Sequence, residues 1–213
     1  MSYPILVNLQ GRRCVVVGGG KTAARKILEL VRAGAMITVV SPEVEETLVA
    51  LEADGKIDML PQIYSSGVLA HLRPVLVFAA TNSPAVNYQV MLDARALGVL
   101  VDNAGAEDQS DFSSMMPIQR GKLTLAFTAP GTPQAFVTHL RHHLENTIGQ
   151  EYGILIDWLL EMRPLIQEQP EATRNRLWRT LVESQVIELL QHHQEANARK
   201  LMEDLISKVL SEG

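Results

Sequence analysis

The chain has one cysteine among its 213 residues, no excess of positive charge and no long apolar run. A lone thiol excludes an intramolecular disulfide framework. Placed just ahead of an apolar run, Cys14 suits a small buried hydrophobe in a reducing compartment. No zinc or iron–sulfur spacing is present, so no metal site is expected. Lysine and arginine number 19 against 24 aspartates and glutamates, a net charge of −5. The overall attraction to phosphate backbones that nucleic-acid binders need is missing, and nucleic acid is not an expected partner. No stretch approaches membrane-spanning length, and residues 1–7 lack the basic segment and apolar core of a secretory signal. The expected location is the cytoplasm, away from membranes.

What is present is ordinary for a globular protein: 46% hydrophobic and 20% charged residues, enough to bury one sizeable core beside a smaller second module. Residues 5–9 read as a short strand and residues 14–17, Cys-Val-Val-Val, as a buried one ending on Gly18, Gly19 and Gly20. From Ala23 the apolar period becomes helical, through Ile27, Leu30 and Val31, and Gly34 follows as a stop. Residues 36–40 predict a second buried strand, 44–51 a short helix, 58–60 and 75–80 further strands, 84–97 a helix and 99–102 a strand. This alternation implies an α/β fold with a doubly wound parallel sheet. The polar stretch 103–114 breaks the pattern, and the alternating residues 123–128 read as antiparallel strand outside that sheet. Helices are expected over 134–148, 152–166 and 171–210, the last broken once.

Gly18-x-Gly20-x-x-Ala23 lies between a buried strand and a helix, which is the context a dinucleotide loop requires. Gly18 permits the tight turn and Gly20 lets a pyrophosphate reach the backbone. Ala23 lets helix and strand pack closely, while the N–H groups of the helix end face the anion. After the second strand, Ser41-Pro42-Glu43 offers polar groups to a ribose, and no arginine is there for a 2′-phosphate, so NAD is the expected cofactor. Thr81 and Asn82 follow small residues at the end of a buried strand, which reads either as the seat of a nicotinamide half or as a plain strand end. His139 and His143, four apart, share one helix face. A solvated face is the simpler reading for them, and the adjacent His192 and His193 point about 100° apart. The charged segment 171–179, with Trp178, reads as an exposed amphipathic helix.

Several segments together carry a family likeness: residues 3–9 (Tyr-Pro-Ile-Leu-Val-Asn-Leu), Gly11-Arg12, the run 15–20 with Ala23, Arg25 and Lys26, then 79–82, Val86-Asn87 and the segment from Met116-Pro117 to Gly131. Over residues 3–145 the sequence resembles the precorrin-2 dehydrogenase/sirohydrochlorin ferrochelatase family. The resemblance implies a Rossmann-type parallel-sheet domain over 1–112, a dimerisation segment over 113–148 and a C-terminal helical domain over 149–213. It further implies NAD-dependent oxidation of precorrin-2 to sirohydrochlorin by a homodimer in siroheme or related tetrapyrrole synthesis, and some members also insert ferrous iron. The tail lacks the methyltransferase domain of some relatives, so the free-standing form is expected. The matching cofactor positions are Gly18, Gly20, Lys21, Thr22, Ser41, Pro42 and Glu43, followed by Thr81, Asn82 and Asn103.

Two departures stand out. Relatives follow the last Rossmann strand with Asn, two apolar residues and an Asp that serves as general acid/base. That Asp position falls here on Gly105 or Ala106, depending on register, and neither exchanges a proton. Asp102 and Asp108 are the nearest carboxylates and become the candidate catalytic residues. Residues 128–133 also lack one glycine and a serine of the relatives' loop. Alternatives to dehydrogenation are a sirohydrochlorin metal chelatase, with His139 or His143 escorting the metal, and a nucleotide- or tetrapyrrole-binding protein without turnover.

Overall fold

A computed structural model of the protein describes residues 3–115, 117–129 and 131–211, with backbone alone at 107 and 134. Met116 and Pro130, two of the residues behind the family likeness, lie outside the described residues. The chain forms two compact units, Met1–Ser114 and Met115–Gly213.

The first unit carries five parallel strands in the order β3-β2-β1-β4-β5: β1 Arg13–Val17, β2 Met36–Val40, β3 Asp58–Leu60, β4 Leu76–Ala79 and β5 Leu100–Asn103. The helices between them are α1 Lys21–Arg32, α2 Glu46–Ala53, α3 Val68–Leu72 and α4 Pro84–Ala96. The expected Rossmann-type sheet is what forms. Pleating divides each β-branched run between two cores. Cys14, Val16, Ile37, Val39, Leu76 and Phe78 join Ile27 and Leu30 of α1 on one face. Val15, Val17, Val40, Val77, Ala79 and Val101 join Val90, Met91 and Ala94 of α4 on the other. Burial on both faces explains why these strands read as continuous apolar runs, and each buried Val, Leu, Ile, Met or Phe among them contributes about 1.5–3 kcal/mol.

Three expectations need correction. Residues 5–9 form no strand: Ile5, Leu6 and Val7 are exposed, and a short apolar run without a neighbouring strand in the sheet pairs with nothing. Helix α2 begins two residues later than expected, because the Glu45 amide turns back to donate to the Gly19 carbonyl at 2.8 Å. The C-terminal helical stretch breaks twice rather than once, as described next.

The second unit opens with an antiparallel hairpin, β6 Ile118–Arg120 and β7 Leu123–Leu125, outside the parallel sheet as expected. It continues with α5 Gln134–Thr147, α6 Gln150–Gln167, α7 Glu171–Val182, α8 Val186–Gln191 and α9 Glu195–Ser211. The second break falls at His193, which takes a left-handed φ of 56° and ends α8 without a glycine. Leu155, Ile166, Leu177, Leu181, Leu190, Met202 and Ile206 form the helical core. Arg120 ties the hairpin to the end of α5, donating to the carbonyls of Ile148 and Glu145 at 2.8 and 3.0 Å. Of the residues 135–147 in α5, none is buried, and Phe136 is 53% exposed. Among the described residues no helix is long and apolar enough to cross a membrane.

Candidate functional site

At the C-terminal edge of the parallel sheet a cleft of about 670 Å³ runs between the β1–α1 turn, the β2–α2 loop and the β4–α4 turn. Gly18 takes φ +117°, and a side chain there would collide with the Ala80 carbonyl, its Cβ falling 2.7 Å from the carbonyl carbon. Gly19 is equally confined, because its Cβ would sit 2.9 Å from Val44 Cα. Gly20 differs. Its φ is −83°, which any residue adopts, and no protein atom lies within 4 Å of a Cβ built there.

The protein's own packing therefore demands glycine at 18 and 19, whereas the space in front of Gly20 is left open toward the cleft. Helix α1 begins at that point with no side chain capping it and no acidic residue in its first turn. Uncapped amides at a helix N-terminus attract an anion, and the bare backbone at Gly20 admits one closely. A dinucleotide pyrophosphate fits this cradle. Lys21 and Thr22 are exposed on the first turn of α1.

Ser41, Pro42 and Glu43 line the cleft beside Glu45 and Glu46. The Ser41 hydroxyl donates to the Glu43 carbonyl at 2.6 Å, shaping the loop and leaving its oxygen as an acceptor. Among the described lining residues are three glutamates and no lysine or arginine. The opposite wall is Ala80, Thr81, Asn82, Ser83 and Val86. Here Asn87, only 3% exposed, holds the turn: its Oδ1 accepts from the Thr81 amide at 3.0 Å and hydroxyl at 2.7 Å, and its amide donates to the Thr81 carbonyl at 3.1 Å. The Ser83 hydroxyl caps α4 by accepting from the Val86 amide. Thr81 thus shapes the wall while Asn82 stays exposed to the cleft. Tyr64 also lines the cleft and donates to Asp93 at 2.7 Å; burial first, and then that carboxylate, push its phenol above the ordinary tyrosine range.

The two candidate catalytic carboxylates occupy different settings, and neither is among the residues lining this cleft. Asp102 on β5 is buried, and its Oδ2 accepts from Lys26 Nζ at 2.6 Å and from the Ser114 hydroxyl at 2.6 Å. Asp108 sits exposed on a single 3-10 turn, Glu107–Gln109, in the loop after β5, and among the described residues no hydrogen bond or ion pair holds it. Asn103 is buried, its Oδ1 accepting from the Gly105 amide at 3.1 Å at the start of that loop. His139 and His143 are exposed, and no group of metal-ligating side chains exists among the described residues.

In the sequence Asn87 stands out only as part of the family likeness, and the clamp it makes is a matter of three-dimensional position. Glu45, Glu46 and Tyr64 carried no motif. Ser83 and Pro84, a capping residue followed by a proline at the first helical position, are a local pattern from which the turn of the β4–α4 wall could have been read.

Residues 5–115 match a family model described as "Putative NAD(P)-binding". The chain belongs to this NAD(P)-binding family. Among its relatives, a siroheme synthase of Chromobacterium violaceum is 33% identical over 207 residues, 96% of this chain and 44% of the relative. A siroheme synthase of Methylobacillus flagellatus is 32% identical over 208 residues, 97% of this chain and 44% of the relative. The chain thus spans a little under half the length of these curated relatives. A solved structure of SirC, precorrin-2 dehydrogenase, superposes with a TM-score of 0.76 at 25% identity, covering 95% of this chain and 100% of that one. The family resemblance expected from the glycine loop and its neighbouring motifs holds.

Proposed function

We propose that this family member binds NAD⁺ in the cleft and uses it to oxidise precorrin-2 to sirohydrochlorin. The observation that carries the cofactor reading is the open space before Gly20 at an uncapped helix end. The substrate reading is supported by relatives named siroheme synthase and precorrin-2 dehydrogenase that match 95% or more of the chain. NAD⁺ is preferred to NADP⁺ because Glu43, Glu45 and Glu46 line the ribose end, where a 2′-phosphate would meet carboxylates and no cation.

When bound, the dinucleotide supplies a hydride acceptor. The chain's own work is to hold it and to take up the proton lost with the hydride. Three aspartates flank the loop after β5. Asp111 accepts from Arg95 and from the Val101 amide, and Asp102 from Lys26 and Ser114. Asp108 has a carboxylate with no such partner among the described residues, and we assign it the proton-accepting role. The unburied α5 and its Phe136 are the surface on which we place a homodimer contact. That assignment predicts twice the chain mass in sedimentation, reduced to a single chain's mass by Phe136→Glu.

Precorrin-2 and NAD⁺ mixed anaerobically with the protein should yield NADH absorbance and the sirohydrochlorin spectrum, with Asp108→Ala strongly impaired. Absence of NADH from the parent protein overturns the oxidation. One consideration favours a second reading, binding without turnover: the position where the family resemblance implies an acid/base Asp falls on Gly105 or Ala106. Tight NAD⁺ binding with no NADH would select it.

A further inference from the structure

The residues after β5 leave the sheet and return to it. On the return, the Asp111 amide donates to the Val101 carbonyl at 2.8 Å and the Asp111 carboxylate accepts from the Val101 amide at 3.1 Å. The Asn103 amide donates to the Ser110 hydroxyl at 2.8 Å. The result is a closed loop with Asp108 near its tip and β5 at its neck. Beyond this inner closure a second one is built from different chemistry.

Asp102, the residue at which the loop departs, is joined to Ser114 at its far end by the 2.6 Å hydrogen bond, and Lys26 Nζ lies 3.1 Å from the same serine oxygen. The ammonium and carboxylate are 2.6 Å apart, with side-chain exposures of 12% and 7%. Under them lies Phe78, which pairs with Asp102 in the strand register and whose ring centroid is 5.7 Å from Lys26 Nζ. Phe112 sets its ring edge-on to Phe78, centroids 5.4 Å apart. Phe112 and Ser114, two residues apart, therefore both dock on the α1 side of the sheet. Lys26 belongs to α1, the helix whose first residue follows Gly20, and lies about 7.5 Å along it from Lys21 at 1.5 Å per residue.

We infer that Lys26, Asp102 and Ser114 form a positioning latch: they close the neck of the loop after β5 and fix Asp108 relative to the helix that begins at the dinucleotide cradle. This rests on the role assigned to Asp108 above. The choice of chemistry follows from the site. A nearly buried ammonium needs a carboxylate partner, so Lys26 draws Asp102 into one geometry, and the second acceptor site on the same oxygen selects a hydroxyl where the chain returns. Asp102 is then a positioning residue and not the proton acceptor.

The experiment uses the full chain and two readouts, amide hydrogen exchange over residues 103–111 and NADH formation from precorrin-2. Ser114 is exposed, so Ser114→Ala should fold. It should speed exchange at the Asn103 and Gly105 amides about fivefold, the worth of one hydrogen bond. It should also lower kcat with little change in the NAD⁺ dissociation constant, and Ser114→Thr should restore both. Lys26→Met/Asp102→Leu removes both charges together and so keeps the fold. Its loop should still exchange fast, and kcat should fall tenfold or more through misplacement of Asp108. Parental exchange in both variants, or a loosened loop with parental kcat, overturns the latch. If the parent forms no NADH while Ser114→Ala still loosens the loop, the oxidation fails and the latch stands.

Discussion

Two turns on the same edge of one sheet are held in opposite ways. The β1–α1 turn is fixed by what its residues lack: Gly18 and Gly19 fit only because no Cβ meets Ala80 or Val44, and no side chain caps the helix that follows. The loop after β5 is fixed by what its residues carry, with Asp102, Ser110, Asp111 and Ser114 each bonded across its neck. The first arrangement leaves backbone amides bare for a ligand, and the second spends polar groups on its own shape. A turn built from absences can only be damaged by addition. One built from side chains is damaged by removal.

That contrast predicts a ranking. The largest loss is expected from Gly18→Ala, which imposes a left-handed φ on alanine and drives its Cβ into the Ala80 carbonyl; about 3 kcal/mol or more of stability should vanish in urea unfolding. If Gly18→Ala keeps parental stability, the steric account of the turn is broken. Next comes Asn87→Ala. It strands the Thr81 amide and carbonyl in a partly buried turn, at a cost of about 2 kcal/mol. NAD⁺ affinity should fall with it, because this turn forms the second wall of the cleft. The smallest effect concerns β1, the strand that leads into the glycine turn. Burial pushes the Cys14 thiol up to about 11, so at neutral pH it stays protonated and should resist thiol reagents until the protein unfolds. Rapid labelling of the native protein would show that β1 is less closed than described.

The sheet was readable in the sequence because strands buried on both faces are almost wholly apolar: 14–17 and 75–80 are apolar throughout, and 36–40 carries Thr38 as its one polar residue. Helix α1 was readable from its spacing and from Gly34 at its end, and α4 from its place between two strands of the alternation. Residues 5–9 misled for a related reason: a short apolar run marks a segment to be covered, and the sheet supplies no neighbouring strand to pair with it. The five-residue α3 is too short to show a period. The second C-terminal break relies on His193 taking a conformation that sequence signals assign to glycine.

At the site, the glycine cradle was legible because its requirement is steric and local. The setting of Asp102 was not, since Lys26 lies 76 residues from Asp102 and 88 from Ser114 in the chain. Only the fold brings α1, β5 and the returning loop together. The acidic lining behind Ser41-Pro42-Glu43 was half visible: Glu43 was picked out, but Glu45 and Glu46 join it only when α2 starts late.

The claim at the centre of this account is that the space in front of Gly20 belongs to a ligand. Calorimetric titration of NAD⁺ into the parent and into Gly20→Ala tests it directly, with urea unfolding as the control. Because no protein atom occupies that space, Gly20→Ala should unfold within about 1 kcal/mol of the parent. Its NAD⁺ dissociation constant should nevertheless rise at least about tenfold, equivalent to 1.4 kcal/mol of binding. Equal NAD⁺ affinity in the two proteins would contradict the account.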